Sequence, residues 1–240
     1  PRIDLIPARK QGTEFSPDNP EILQPLLQAN MIFMGPGSPS YVARQLRGTL
    51  AWDILRARHR LGATLVFASA AAISVGEWVL PVYEIYKAGE DVHIKDGLRL
   101  FSDFGMQVSF IPHWNNAEGG ADLDTSRCFM GMERFEQWRK LTPIQNIIVG
   151  LDEHSGIIID CEKEICSAYG LGSVSILKRD TLEIYPACAS FSLNELGNYI
   201  TPEPIEKGID PKVWEIALNS SNSNAKVETP SDEVLSLLEQ

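Results

Sequence analysis

Three side chains that could share the chemistry of a hydrolase each lie at the end of an apolar run. Ser69, His113 and Glu153 all come within two residues of such a run, and these runs are typical of buried strands. A serine can attack a carbonyl carbon, a histidine can take its proton, and a carboxylate can orient the histidine. Because the carboxyl ends of parallel strands meet at one crevice, the pattern predicts that a nucleophile, a general base and an orienting acid come together there.

Ser69 has the placement of a nucleophile elbow, because it stands between a predicted strand and the helix-forming residues Ala70–Ile73. A sharp turn there holds the hydroxyl away from the backbone. The start of the helix supplies free N–H groups, that of Ala70 first, which can stabilise an oxyanion. An elbow usually has glycine two positions to either side, whereas this sequence has Phe67 and Ala71. The competing interpretation is a small polar residue that caps the helix.

His113 stands between Pro112 and Trp114, which indicates a locked and partly buried side chain. A histidine at a strand end can reach a serine at the end of a neighbouring strand and act as its general base. The alternative is a structural histidine in a loop. Asp152 and Glu153 follow the next apolar run, and one of these carboxylates can orient the imidazole. A solvated acidic loop is the alternative for that pair.

A glycine-containing loop follows the predicted strand Met31–Met34 and precedes a helix. The N–H group of Gly35 or Gly37 can serve as a second oxyanion donor in such a position. Phosphate binding is a weaker interpretation, because no lysine follows the loop and the glycine spacing misses the dinucleotide fingerprint. We therefore expect no cofactor and no metal.

Strands alternate with helices in the first two thirds of the sequence and then give way to short strands separated by turns. The predicted helices are Pro20–Ala29, Tyr41–Leu61 with an interruption near Gly48, and Ser126–Leu141. The predicted strands are Ile3–Ile6, Met31–Met34, Thr64–Ala68, Met106–Ile111, Asn146–Leu151, Gly156–Asp160, Ser173–Lys178 and Thr181–Ala187. This order predicts an α/β fold with a doubly wound, mostly parallel sheet and an antiparallel β extension.

The composition of the sequence disfavours some classes of binding partner. The 240 residues carry a net charge of −11, which disfavours nucleic acid and anionic membrane as main partners. The sequence has no apolar run of about 18 residues and no signal-peptide pattern. Its four cysteines fit no zinc template and are expected to be reduced thiols in a cytoplasmic protein: Cys128, Cys161, Cys166 and Cys188. The sequence leaves open whether the protein forms a homodimer.

The end of the sequence differs in composition from the rest. Asn219–Asn224 consists of asparagine and serine, which is typical of a flexible linker. We therefore predict a hydrolase domain over residues 1–218, a linker over 219–230, and a short helix over 231–240. That helix either docks back onto the domain or begins a further one.

Over roughly residues 29–197 the sequence resembles the peptidase E and cyanophycinase family of serine peptidases, which have a fold like that of the class I glutamine amidotransferases. The resemblance is carried by five segments: Ile32–Gly37, Phe67–Ala72, Ile111–Trp114, Gly150–Glu153 and Gly170–Val174. The family's first strand and helix are largely absent from this sequence, which implies a shortened N-terminus.

The resemblance implies that Ser69 is the nucleophile, His113 the general base and Glu153 the orienting acid. Arginines that follow the histidine in the family are matched by Arg127 and Arg134, and the resemblance implies that Arg127 contacts the substrate. The substrate would be a peptide or an isopeptide, often one that contains aspartate, and it would be cleaved through an acyl-enzyme. Because the nucleophile is serine and not cysteine, a working glutamine amidotransferase is disfavoured.

Two other functions stay open from the sequence alone. The departures at Phe67 and Ala71 leave room for an inert binding or scaffold module that keeps the fold, since a Cβ constrains the backbone where the family has glycine. An amidase or esterase that acts on a small substrate would use the same three residues as a peptidase.

Overall fold

The computed structural model describes residues 2–223, which form an α/β structure with mixed sheets. These residues divide into two compact units, each built from separate segments of the chain. The first unit comprises residues 2–34, 44–67 and 202–223, and the second comprises residues 35–43 and 68–201. All three predicted catalytic residues belong to the second unit.

Helices and strands are interspersed up to residue 151, five strands then follow one another, and a final helix ends the described part of the chain. The helices are α1 Pro20–Leu27, α2 Pro39–Leu46, α3 Leu50–Arg60, α4 Ala70–Ser74, α5 Gly131–Leu141 and α6 Pro211–Ser223. The strands are β1 Met31–Met34, β2 Thr64–Phe67, β3 Trp78–Val79, β4 Lys95–Asp96, β5 Val108–Ile111, β6 Ile147–Leu151, β7 Ser155–Asp160, β8 Ile165–Gly170, β9 Ser173–Lys178, β10 Thr181–Pro186 and β11 Ser190–Ser192. A π-helix spans Tyr83–Lys87, and 3-10 turns span Leu100–Phe104, Leu193–Leu196 and Ile205–Lys207.

The first unit is built on α3, which packs against both α1 and α6. Its apolar residues recur at helical spacing, so that Ile54 and Ala57 are fully buried. Arg58 is also buried, and its guanidinium is held by polar partners because a buried charge needs them. Its Nε donates to the carbonyl of Ala29 at 3.0 Å, and its Nη1 donates to Ser221 Oγ.

Strands β1 and β2 of the first unit pair in parallel over their whole length. The sequence predicts a buried strand at Thr64–Ala68, and in this respect the prediction is wrong. Residues of β2 alternate between exposed and half-buried, and Phe33 of β1 is 64% exposed. An apolar run by itself does not say which of its two faces will be covered.

The second unit holds a four-stranded sheet in the order β10-β9-β6-β5. Strands β5 and β6 are parallel, whereas β6–β9 and β9–β10 are antiparallel pairs. The antiparallel extension predicted from the sequence is therefore present. A three-stranded antiparallel sheet, β11-β8-β7, and a two-stranded one, β3-β4, complete the unit. The parallel strands thus occur as two pairs in separate sheets.

The core of the second unit lies on β5, β6 and β9. Val108, Val149 and Ile176 are fully buried, which suits β-branched side chains packed on both faces of a sheet. Helix α5 contributes Phe135 and Trp138, which are also buried. The Trp138 indole donates to the carbonyl of Val79, so its polar edge is satisfied within the core.

Several element boundaries differ from the sequence-based predictions. The predicted strand Ile3–Ile6 has no regular structure, and Ile3 is 91% exposed without a strand partner to hydrogen-bond. The predicted helix Tyr41–Leu61 is interrupted as expected, at Gly48, where φ is 68°. The helix predicted from Ser126 begins only at Gly131.

The C-terminal part of the chain is helical for longer than expected. Helix α6 runs through Ser223, so residues 219–223 are helical where the sequence predicts the start of a linker. The rest of the predicted linker and the predicted helix over residues 231–240 lie outside the described residues. Within residues 2–223, no helix has both the length and the apolar composition that a membrane crossing requires.

Gly97 marks a close approach of two backbone segments in the second unit. A Cβ at position 97 would lie 1.8 Å from the carbonyl oxygen of Gly76, so the backbone itself would have to move. We predict that Gly97→Ala lowers the free energy of unfolding by about 2 kcal/mol or more. Urea unfolding followed by circular dichroism measures this loss.

Gly156→Ala is the matched control for Gly97→Ala, because a Cβ at position 156 meets no atom within 4 Å and the residue needs no positive φ. Its unfolding free energy is expected to stay within about 0.5 kcal/mol of the wild-type value. Equal losses in the two variants would show that the contact between Gly97 and Gly76 does not constrain the fold.

Candidate active site

Ser69 occupies a strained backbone conformation between β2 and α4, with φ 53° and ψ −113°. A residue with a Cβ adopts such angles only at a cost of about 1–3 kcal/mol, and strain of this kind clusters at functional sites. The Ser69 side chain makes no capping hydrogen bond to α4 although it stands at the cap position. The geometry therefore disfavours the interpretation of Ser69 as a simple helix cap.

The three predicted catalytic side chains form one hydrogen-bonded chain. Ser69 Oγ lies 3.2 Å from His113 Nε2, and His113 Nδ1 lies 3.2 Å from Glu153 Oε1. With a proton on Nδ1 that is donated to the carboxylate, Nε2 is free to accept the proton of the serine hydroxyl. His113 and Glu153 keep about a third of their side-chain surface exposed, so a substrate can reach them.

The backbone at His113 is fixed on several sides. Its φ of 53° turns the chain sharply after β5. The carbonyl of His113 accepts hydrogen bonds from the N–H groups of Cys128 at 3.0 Å and Asn116 at 3.2 Å, and the Trp114 N–H donates to Leu151 at 3.0 Å. These bonds hold the imidazole in place without using either ring nitrogen.

Trp114 anchors the segment that carries His113. It is 5% exposed and meets Phe135 edge to face at 5.2 Å. The absence of a side chain at Gly150 makes room for it, since a Cβ there would lie 2.4 Å from the indole ring. The guanidinium of Arg127 stacks 3.9 Å from the centre of the Trp114 ring and also donates to the Trp114 carbonyl.

Glu153 is held by two asparagines that follow His113. Asn116 Nδ2 donates to Glu153 Oε1 at 2.8 Å, and Asn115 Oδ1 accepts the Glu153 backbone N–H at 2.8 Å. Asp152 instead accepts from the Ser173 N–H at 2.8 Å, so Glu153 is the carboxylate that meets the imidazole.

The pKa of Glu153 lies below its usual range, because the Asn116 amide and then the His113 imidazole favour the charged form. A carboxylate stabilised in this way supports the fold above its unfolded-state pKa. That support is lost as the pH falls through the lowered folded-state pKa. Glu153 therefore stays ionised at neutral pH, as an orienting acid must.

Phe67 and Ala71 do not prevent the strained turn at Ser69. Ser69 takes the strained conformation, and the Ala71 N–H bonds to the Ala68 carbonyl at 3.1 Å, with Ala71 fully packed at 1% exposed. Ala70 is the first residue of α4, so its N–H has no acceptor within the helix. That group is therefore available as an oxyanion donor beside the serine.

Within residues 2–223, no hydrogen bond joins Gly35, Gly37 or Arg127 to Ser69, His113 or Glu153. Gly35 and Gly37 belong to the same unit as Ser69. The guanidinium of Arg127 is engaged with Trp114, as described above. The roles of these residues toward a substrate stay predictions.

Three residues near the site were not predicted: Asn115, Asn116 and Phe129. Both asparagines lie outside the five segments that carry the resemblance, and only their closeness in sequence to His113 could have indicated them. The Phe129 ring lies 5.7 Å from the His113 ring. Cys128 also lies here, but burial raises the pKa of its thiol to about 12, so it stays protonated at neutral pH.

Within the part of the chain that the structure describes, histidine, cysteine and acidic side chains form no group of three or more suited to hold a metal ion.

Comparison with solved structures identifies a shared fold. The chain is similar to a peptidase from an acI-B1 Actinobacterium, with a TM-score of 0.60 and 22% identity over 78% of this chain and 68% of that one. A second likeness, to a protein from Listeria monocytogenes EGD-e provisionally described as a peptidase E, has a TM-score of 0.39 and 14% identity over 70% of this chain and 64% of that one. No family model matches the sequence. No curated protein matches it either. The first likeness shows that the chain has a fold found in a peptidase.

The hydrogen bond from Asn116 to Glu153 predicts that the pKa of Glu153 changes when Asn116 is replaced. Asn116→Ala removes the largest favourable contact of the carboxylate, so the pKa of Glu153 is expected to rise toward its usual range. Carbon-detected NMR titration of the glutamate carboxyls measures the shift, with Glu153→Gln used to assign the signal. Asn198→Ala is a control distant in sequence; a rise as large in that variant would show that the Asn116 amide is not the cause.

Gly150 predicts a second effect, on the position of His113. Gly150→Ala puts a methyl group into the space of the Trp114 ring, which has no room to give way. We expect a loss of about 1–3 kcal/mol in the free energy of unfolding. The His113 ring signals should also move in a 1H–15N NMR spectrum. Unchanged His113 signals in a folded variant would contradict the proposed anchoring by Trp114.

Proposed function

We propose that this protein is a serine hydrolase, and specifically a peptidase that cleaves peptide or isopeptide bonds through an acyl-enzyme. The single observation that carries the proposal is the hydrogen-bonded chain from Ser69 through His113 to Glu153, with Ser69 in a strained elbow. Both distances are 3.2 Å, within the range expected for a nucleophile and its base without a substrate.

We propose further that the fold is the doubly wound arrangement of the class I glutamine amidotransferases, and that residues 1–218 form the hydrolase domain. The likeness to the peptidase from an acI-B1 Actinobacterium supports a fold that carries peptidase activity in another protein. The order of the elements supports it as well, because Ser69, His113 and Glu153 each follow the end of one strand: β2, β5 and β6.

In the first step, Ser69 Oγ attacks the carbonyl carbon of the scissile amide and its proton passes to His113 Nε2. The carbonyl oxygen becomes an oxyanion. When the intermediate collapses, the C–N bond breaks and His113 Nε2 gives the proton to the leaving nitrogen, so the amine departs neutral. Glu153 stabilises the imidazolium that exists between the two proton transfers.

In the second step, a water molecule attacks the acyl carbon while His113 Nε2 takes one of its protons. Collapse of this intermediate breaks the bond between the acyl carbon and Ser69 Oγ. His113 returns the proton to Oγ and the acid product leaves, so that every group regains its starting protonation.

The oxyanion is assigned to backbone donors. The Ala70 N–H is the first candidate, because it follows the nucleophile directly and opens α4. The loop with Gly35 and Gly37 is proposed to give the second donor. Arg127 is proposed to act toward the substrate, and the net charge of −11 fits a substrate that is neither nucleic acid nor membrane.

An inert module with the same fold is the second candidate function, and the substitutions of glycine by Phe67 and Ala71 favour it. The strained angles of Ser69 weigh against it, since strain is costly and a module that does no chemistry has no use for it. A cytoplasmic location and a homodimeric assembly belong to the proposal as well.

Labelling by a fluorophosphonate probe tests the nucleophile. We predict that the probe labels Ser69, that Ser69→Ala abolishes labelling, and that His113→Ala slows it by about 100-fold or more, because the general base is lost. Peptide mapping by mass spectrometry identifies the labelled residue, and gel fluorescence gives the rate.

Ser167→Ala is the matched control, because Ser167 lies on β8 and pairs its hydroxyl with Ser190. It should label at the wild-type rate. Labelling that survives in Ser69→Ala, or a wild-type protein that does not react at all, would contradict the serine hydrolase and favour the inert module.

A further inference from the structure

A row of aromatic rings leads away from the His113 imidazole. The ring centre of Phe129 lies 5.7 Å from that of His113, and the ring centre of Tyr86 lies 5.7 Å from that of Phe129. The Arg134 guanidinium lies 5.8 Å from the centre of the Tyr86 ring. Phe129 and Tyr86 are both half-buried, so each keeps surface that a ligand can contact, unlike the buried Trp114.

The backbone that presents Phe129 is strained. Arg127, Cys128 and Phe129 are three consecutive non-glycine residues at positive φ, with values of 58°, 60° and 67°. The N–H groups of the first two donate to the carbonyls of Trp114 and His113. Strain of this kind persists where the surroundings enforce it, and it recurs at ligand clamps. Here it keeps the Phe129 ring beside the catalytic imidazole.

Tyr86 is presented by an unusual element of its own. It lies in the π-helix Tyr83–Lys87, a geometry that is rare in proteins and frequent at functional sites. Ile85 of the same turn is buried and fixes it to the core. Arg134 Nε donates to the Met130 carbonyl at 2.8 Å, which holds the guanidinium over the Tyr86 ring. Two irregular segments, far apart along the chain, therefore converge on one aromatic pair.

The proposed chemistry indicates which part of a substrate lies against Phe129 and Tyr86. His113 must hand its proton to the leaving nitrogen, so that nitrogen lies against the imidazole during bond cleavage. The side chain of the leaving residue begins only two bonds from the nitrogen. It therefore lies near the imidazole, and the rings of Phe129 and then Tyr86 form the half-buried aromatic surface next to that imidazole.

We infer that Phe129 and Tyr86 form a subsite for a large apolar or aromatic residue on the amine side of the scissile bond. This inference rests on the proposed function, because it needs His113 to protonate the leaving amine. Aromatic rings offer an apolar ligand broad faces at little entropic cost, and they favour an aromatic partner over a small one. The protein should therefore discriminate between substrates by the residue on the amine side of the scissile bond.

Acyl transfer to added amines tests the subsite separately from the first step. p-Nitrophenyl acetate acylates Ser69 and releases p-nitrophenolate as a burst. An amine then attacks the acetyl carbon, His113 takes a proton from its nitrogen, and the bond to Ser69 Oγ breaks with that proton returned to Oγ. By microscopic reversibility the attacking amine occupies the site of the leaving amine. Phenylalanine amide and glycine amide are compared, and their N-acetyl products are measured by mass spectrometry.

The wild-type protein is expected to form the phenylalanine product about 10-fold or more faster than the glycine product at equal amine concentration. Phe129→Gly and Tyr86→Ala should each reduce this ratio by at least about 3-fold. The ratio is taken within one variant, so any change in acylation cancels. Glycine suits the positive φ at position 129, and the second variant lies on a different element.

Tyr169→Ala is the control, because Tyr169 is a 53% exposed aromatic residue on β8, and its ratio should match the wild type. Two results would overturn the subsite and leave the hydrolase standing, provided that Ser69 is acylated. One is a ratio of phenylalanine product to glycine product near one in the wild type. The other is a ratio that neither Phe129→Gly nor Tyr86→Ala lowers. Release of p-nitrophenolate no faster than in Ser69→Ala would overturn the proposed function and the subsite together.

Discussion

The imidazole of His113 is the group on which the rest of the site depends, because both of its nitrogens are committed. Nε2 faces Ser69 Oγ and Nδ1 faces Glu153 Oε1, each at 3.2 Å. A ring rotated or shifted by an ångström would lose one contact or both. The surroundings prevent such a shift through bonds to the His113 backbone, chiefly the Cys128 N–H, and through the buried Trp114.

This arrangement is costly in backbone energy, and the cost is concentrated around the site. Among the described residues, positive φ angles at non-glycine residues occur at Ser69, at His113, in the run Arg127–Phe129 and at His154, next to Glu153. The others are Arg99, Glu164 and Cys188. Each costs on the order of 1–3 kcal/mol, which is a large part of the stability of an ordinary domain. The buried strands β5, β6 and β9 offset this cost, and their residues carry no such strain. Well-packed strands thus stabilise the unit, and strained connections after the strands hold Ser69 and His113.

Helices and strands could be predicted from the sequence where the local pattern of residues decides them. Strands β1 and β9 begin and end at the predicted residues, since turn residues bound each apolar run on both sides. Predictions were wrong where contacts with segments distant in the chain decide the local structure. Residues 126–130 have helix-forming character but are held in turns by bonds to the His113 segment. Strand β8 was missed because its pattern is broken by polar residues that only pairing with β7 and β11 makes compatible with a sheet.

The sequence by itself determined that Ser69, His113 and Glu153 stand at strand ends, because an apolar run followed by a polar residue is a local property of the chain. Only the tertiary structure decided that these ends meet within hydrogen-bonding distance. It alone placed Asn116 on the Glu153 carboxylate and set Phe129 beside the imidazole. The physical reason is that these distances arise from contacts between residues 16 to 44 positions apart, and no local pattern encodes which of these contacts will form.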